Sequence, residues 1–161
     1  MKNEKLHVSQ LKEIDLINKV KELVQTNSYK QIIEICKDSP FLSKRIELTQ
    51  FCAQSYEKLK NYPKAIEVIE NYFENRINPR ESEREYECLI NLSKYYLHIN
   101  KFDKANEAIR KAKIILNSSD FKGNTNFEYD RIKVELTIIE NTKNMYIKNK
   151  ATEIVSIIRN K

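Results

Sequence analysis

The sequence predicts an all-α fold, built as a short solenoid of three to four helical hairpins. Three observations predict it. One glycine and three prolines in 161 residues are too few for the tight turns that a β-sandwich or an α/β enzyme of this length requires. Apolar residues recur at helical spacing along most of the chain. A unit of stripe, polar turn and second stripe returns at near-constant spacing. Hydrophobic residues at 40% and charged residues at 32% fit a folded protein and exclude a disordered one.

From the N-terminus, MKNEKLHVSQLKEIDLI lacks the apolar core of a secretory signal. No run of about 18 apolar residues follows it, so no membrane span is expected and the expected location is cytoplasmic. Over 13–46, a first hairpin is expected from Leu16, Val20 and Leu23, the turn Asn27–Ser28–Tyr29, then Ile32 and Cys36. Over 46–79, Ala53 and Tyr56, the turn Lys60–Asn61–Tyr62, then Ala65 and Ile69 mark a second. A linker around Arg76 to Ser82 follows, in which Asn78–Pro79 has the form of a helix cap followed by proline.

The clearest unit spans 86–119. Leu89, Leu92, Ser93 and Tyr96 lie on one helix face, the turn is Ile99–Asn100–Lys101, and Phe102, Ala105, Ile109, Ala112 and Leu116 form the return stripe. Small Ser93 and Ala105 on facing stripes let the two helices pack closely. Asn117 to Asn126, with the chain's one glycine at Gly123, reads as a loop. A capping hairpin is expected over 127–160, with Ile132, Leu136, Ile139 and Met145 on a long helix and Ala151, Ile154, Val155 and Ile158 on a short one.

These residues resemble the tetratricopeptide repeat family. In its 34-residue pattern a large residue, a small one and an aromatic or leucine stand at positions 4, 8 and 11, followed by alanine, a large residue and a small one at 20, 24 and 27. Leu89, Ser93, Tyr96, Ala105, Ile109 and Ala112 fill those six places. The second unit supplies Ala53, Tyr56, Ala65 and Ile69, with Thr49 and Tyr72 departing. The first has Val20 and Ile32 where small residues are usual. The resemblance implies a right-handed superhelix whose first helices line a concave groove. It places Glu47, Gln50, Phe51, Gln54 and Lys58 on that face in the second unit, and Glu87, Ile90, Asn91, Lys94 and His98 in the third. The first unit contributes Ile14, Ile17, Asn18 and Lys21, and the fourth Lys133 and Thr137. Some family members grip a C-terminal carboxylate with a set of lysines and asparagines that this chain does not reproduce.

The chemistry of that face suits an extended peptide. An amide side chain donates to a carbonyl and accepts from an N–H, and neighbouring lysines favour an acidic segment. The candidate binding residues are therefore Gln50, Phe51, Gln54, Lys58, Ile90, Asn91, Lys94 and Lys133. The expected function is a non-catalytic protein- or peptide-binding scaffold or adaptor. The alternative is a regulatory or assembly subunit that docks through its ends or outer face, with self-association open to Ile154, Val155, Ile157 and Ile158.

No enzyme, cofactor or metal site is expected. The chain has two histidines and no Gly-rich phosphate loop, Cys/His cluster or HExxH pattern. Glu81, Glu83, Glu85 and Glu87 alternate around the start of a helix and read as a solvated end stabilised by the macrodipole. Cys36, Cys52 and Cys88, without a CxxC pair, read as reduced buried residues. The net charge of +6 permits an acidic partner, but lysines interleaved with glutamates argue against the remaining alternative, a nucleic-acid-binding helical repeat.

Overall fold

A computed structural model describes residues 13–76 and 82–117, together with Thr137, Glu140, Asn141, Asn144, Met145 and Asn149. The described residues contain six helices and no strand: α1 (Glu13–Gln25), α2 (Tyr29–Lys37), α3 (Ile46–Lys58), α4 (Tyr62–Asn75), α5 (Ser82–His98) and α6 (Phe102–Leu116). The chain is all-α. The helices pair as α1–α2, α3–α4 and α5–α6, with turns where the stripes place them. The capping hairpin expected over 127–160 lies outside the described residues apart from those six positions, as does Asn78–Pro79.

The three turns share one geometry. Asn27, Lys60 and Asn100 all have positive φ, at 54°, 58° and 59°. After each, the next amide reaches back five residues: Ser28 to the Leu23 carbonyl, Asn61 to Tyr56, Lys101 to Tyr96, at 2.8–2.9 Å. The positive-φ residue itself donates to Val24, Glu57 or Leu97. This pair of bonds is the Schellman ending of a helix, which satisfies carbonyls that the helix leaves unpaired. Glycine normally takes the left-handed position, and here asparagine and lysine hold it instead. At the second turn the Asn61 side chain also caps α4 by accepting from the Lys64 amide at 3.3 Å, with Pro63 in the first helical turn.

Beneath the turns lie the small residues. Ala53, Ala65, Ser93, Ala105, Ala108 and Ala112 are all buried, and the Ser93 hydroxyl is satisfied by the Ile90 carbonyl at 3.1 Å. Two core clusters result. One joins the first and second hairpins through Leu16, Val20, Ile32, Cys36, Leu48 and Cys52. The other joins the second and third through Ile46, Ile69, Tyr86, Leu89, Tyr95 and Ile109. Each second helix packs on the next first helix, α2 on α3 and α4 on α5, and the first helices also touch one another, α1 with α3 and α3 with α5. Thr49, where the repeat pattern expects a large residue, is buried and turns its hydroxyl to the Leu42 and Arg45 carbonyls at 2.7 and 3.1 Å.

Tyrosines lock the second and third hairpins together. Tyr95 on α5 donates to Glu57 on α3 at 3.0 Å, Tyr96 donates to Glu70 on α4, and Tyr72 on α4 donates to Glu85 on α5 at 3.1 Å. Burial pushes the Tyr95 and Tyr96 hydroxyls above the ordinary phenol range, and the facing glutamates push them further. Glu85 also pairs with the Arg76 guanidinium at 2.6 Å, which sits 5.0 Å from the Phe73 ring centroid. The solvated reading of the alternating glutamates therefore holds for exposed Glu83 and fails for Glu85, which is 2% exposed. Its side of α5 faces α4, where a buried carboxylate persists because it has an ion pair and a hydroxyl donor.

Candidate functional site

The face shared by the first helices is the site the sequence points to. Arg84 lies 3.6 Å from Glu47, and the Gln50 amide donates to Glu87 at 2.9 Å. Both contacts span 37 residues, 47 to 84 and 50 to 87, so α3 and α5 run parallel in this register. The same step carries Gln54 to Asn91. Tyr95 and Glu57, 38 apart, keep that register near the far end.

The N-terminal half of this face is closed on itself. Lys21 of α1 pairs with Glu47 at 2.9 Å, Arg45 pairs with Glu13, and the Arg84 guanidinium donates to the Gln50 carbonyl oxygen at 3.3 Å. A polar ladder thus runs from α1 across α3 to α5. Gln50, expected to reach a peptide, is 7% exposed and spends both ends of its amide inside the ladder. Ile90, expected as an apolar contact, is 4% exposed and belongs to the core. Phe51 is partly buried against the first core cluster.

The C-terminal half is open. Gln54 and Lys58 are exposed, and Asn91 and Lys94 are partly buried. None of these four side chains makes a hydrogen bond or an ion pair among the described residues. Exposed His98 stacks on Tyr62 with centroids 4.1 Å apart and planes 7° from parallel, and Tyr95 adds a tilted contact to the same ring at 6.1 Å. The arrangement is a pair of amides with two lysines beyond them, bordered by a Tyr–His stack. Lys133 lies outside the described residues. Arg84 and Tyr62 were missed by the sequence reasoning. Arg84 precedes the repeat frame that begins at 86, because α5 starts about one turn early at Ser82. The Tyr62–His98 contact joins two units and has no signature within either.

A second concavity lies between α4 and α6. This crevice of about 490 Å³ is lined by Leu89, Leu92, Phe73 and Ile115, with Glu74, Lys104 and Lys111 around its mouth. Ile114, also on its wall, is 72% exposed. Glu107 at its edge is held below the ordinary carboxylate range by its hydrogen bond and charge contact with Lys111.

No protein-family model, curated protein or solved structure matches this chain. Among the described residues no group of three or more histidine, cysteine or acidic side chains could hold a metal ion. No described helix is long and apolar enough to cross a membrane.

Proposed function

We propose that the protein is a non-catalytic scaffold of the tetratricopeptide type, a right-handed superhelical stack that binds an extended acidic segment of a partner protein across α3 and α5. The observation that carries this reading is the register set by Glu47–Arg84 and Gln50–Glu87, which carries Gln54 to Asn91, with Lys58 and Lys94 on the same two helices and all four side chains without a hydrogen bond or ion pair among the described residues. Amides at that spacing satisfy the main chain of an extended strand. The two lysines draw an acidic segment and set its direction. The ladder beside them holds the helices in register without a ligand, so little order is lost on binding.

The test is capture of partners from the protein's own cells by the full chain and by two variants, Gln54→Ala with Asn91→Ala, and Lys58→Ala with Lys94→Ala. Loss of the same partner in both, at unchanged helical content, supports the site. Retention by both sinks it.

The crevice between α4 and α6, with Ile114 exposed on its wall, favours a second reading, in which the protein docks in a larger assembly through its outer face. Ile114→Glu is then the variant that loses the partner, while the Gln54 and Asn91 substitutions leave it bound.

A further inference from the structure

The open half of the α3–α5 face runs lengthwise, from Gln54 and Asn91 at one end to His98 at the other. His98 lies one turn beyond Lys94 and two beyond Asn91, so the three share one side of α5. Its imidazole is stacked on Tyr62, with centroids 4.1 Å apart and planes 7° from parallel. Tyr62 in turn touches Tyr95 at 6.1 Å between centroids, and the Tyr95 hydroxyl donates to Glu57 at 3.0 Å. The stack is thereby tied to α3, α4 and α5. His98 is nonetheless exposed, and beyond Tyr62 it meets no other ring among the described residues. The result is a flat ring, backed on one face and open to a ligand, one turn from an unpaired lysine.

We propose that the partner segment carries an acidic residue and an aromatic residue two positions apart, the acid on Lys94 and the aromatic ring stacked on His98. This rests on the reading that an acidic segment binds along α3 and α5. The spacing follows from geometry. One turn of α5 sets Lys94 and His98 about 6 Å apart along the helix. Side chains two positions apart on an extended strand point the same way and stand about 6.6 Å apart. Neighbouring side chains point to opposite sides, so an aromatic residue next to the acid misses the ring. Charge selects the acid. Lys58 and Lys94 have no ion pair among the described residues, while the nearby carboxylate of Glu57 is taken up by Tyr95. The ring gains by stacking on an imidazole that Tyr62 already holds in place, so the protein loses little side-chain freedom.

The test titrates the full chain with synthetic peptides blocked at both ends and follows backbone NMR shifts. The peptides are Ser-Glu-Ser-Phe-Ser, its reverse, both with alanine in place of phenylalanine, and Ser-Glu-Phe-Ser-Ser. In one of the two orders the phenylalanine peptide is expected to bind about 5-fold tighter than its alanine counterpart. Moving the phenylalanine beside the glutamate should abolish that gain. His98→Ala should bind the phenylalanine and alanine peptides equally, and His98→Phe should keep them apart. Equal affinity at both spacings, or a preference that survives His98→Ala, overturns the inference and leaves the acidic-segment reading standing. Oligothymidylate that binds more tightly than any peptide and is lost in His98→Ala assigns the ring to a base and also overturns it. No binding by any peptide, or binding unaffected by Lys58→Ala with Lys94→Ala, overturns both.

Discussion

The Tyr72 hydroxyl donates to the Glu85 carboxylate at 3.1 Å in the seam between the second and third hairpins, and the Arg76 guanidinium closes on the same carboxylate from the end of α4. Removing Glu85 takes an ion-pair partner from the guanidinium and an acceptor from the buried hydroxyl. Breaking a fully buried pair costs about 3–5 kcal/mol, but Arg76 is about a third exposed and regains water. Glu85→Leu is therefore expected to lower the unfolding free energy by about 1–3 kcal/mol. Urea titration measures it, and a change below about 0.5 kcal/mol would show that the triad carries no net stability.

Lys60 holds a left-handed backbone at φ 58°, a conformation that costs a residue with a Cβ about 1–2 kcal/mol. Glycine removes that cost and adds some unfolded-state entropy, so Lys60→Gly is expected to stabilise by about 0.5–1 kcal/mol. The thermal midpoint should rise, and a fall would mean that the lysine side chain contributes something the turn geometry does not explain.

Ala105 is fully buried where α6 meets α5. Ala105→Glu forces a charge with no partner into that contact and is expected to cost at least about 3 kcal/mol. Ala105→Ser, which keeps the volume nearly constant, should cost far less. Similar melts for the two variants would remove this residue from the helix–helix seam.

Alkaline pH should unfold the protein in stages. Burial raises the Cys88 thiol, with Glu87 and Glu85 adding to it, and burial with Glu57 raises the Tyr95 hydroxyl. A raised folded-state pKa stabilises the protonated fold. That stability is complete below the unfolded pKa and is lost as pH climbs, beginning near 9 for the cysteine and near 10 for the tyrosine. Each group contributes a decline of up to about 1.4 kcal/mol per pH unit above its onset. Tyr95→Phe should remove its share of the slope above pH 10 and leave the decline that begins near 9 in place. A wild-type stability that stays flat from pH 8 to 10.5 would contradict this account.

Helix stripes, turn positions and the small residues under the second and third turns were legible in the sequence, because all depend on neighbours within one unit. Contacts between units were less so. The repeat offset gives the spacing of the turns, with residues 60 and 100 set 40 apart, but not that of facing residues, and Gln50 and Glu87 are 37 apart. The difference of three residues is an axial stagger of about 4.5 Å. It brings Gln50 against Glu87 and carries Gln54 to the level of Asn91, while Ile90 is buried in the core. Glu85 was misread because its partners Tyr72 and Arg76 lie in another unit and nothing within its own unit marks them.

The three Schellman turns hold their shape through main-chain hydrogen bonds, with asparagine or lysine where glycine is usual. Corners built this way tolerate side-chain drift, since a poor residue there costs about 1–2 kcal/mol without redirecting the chain. The small residues underneath, such as Ser93 and Ala105, have no such latitude, because any added bulk wedges two helices apart. In a chain of this design the corner residues can be exchanged freely while the fold stays fixed by spacing and residue volume.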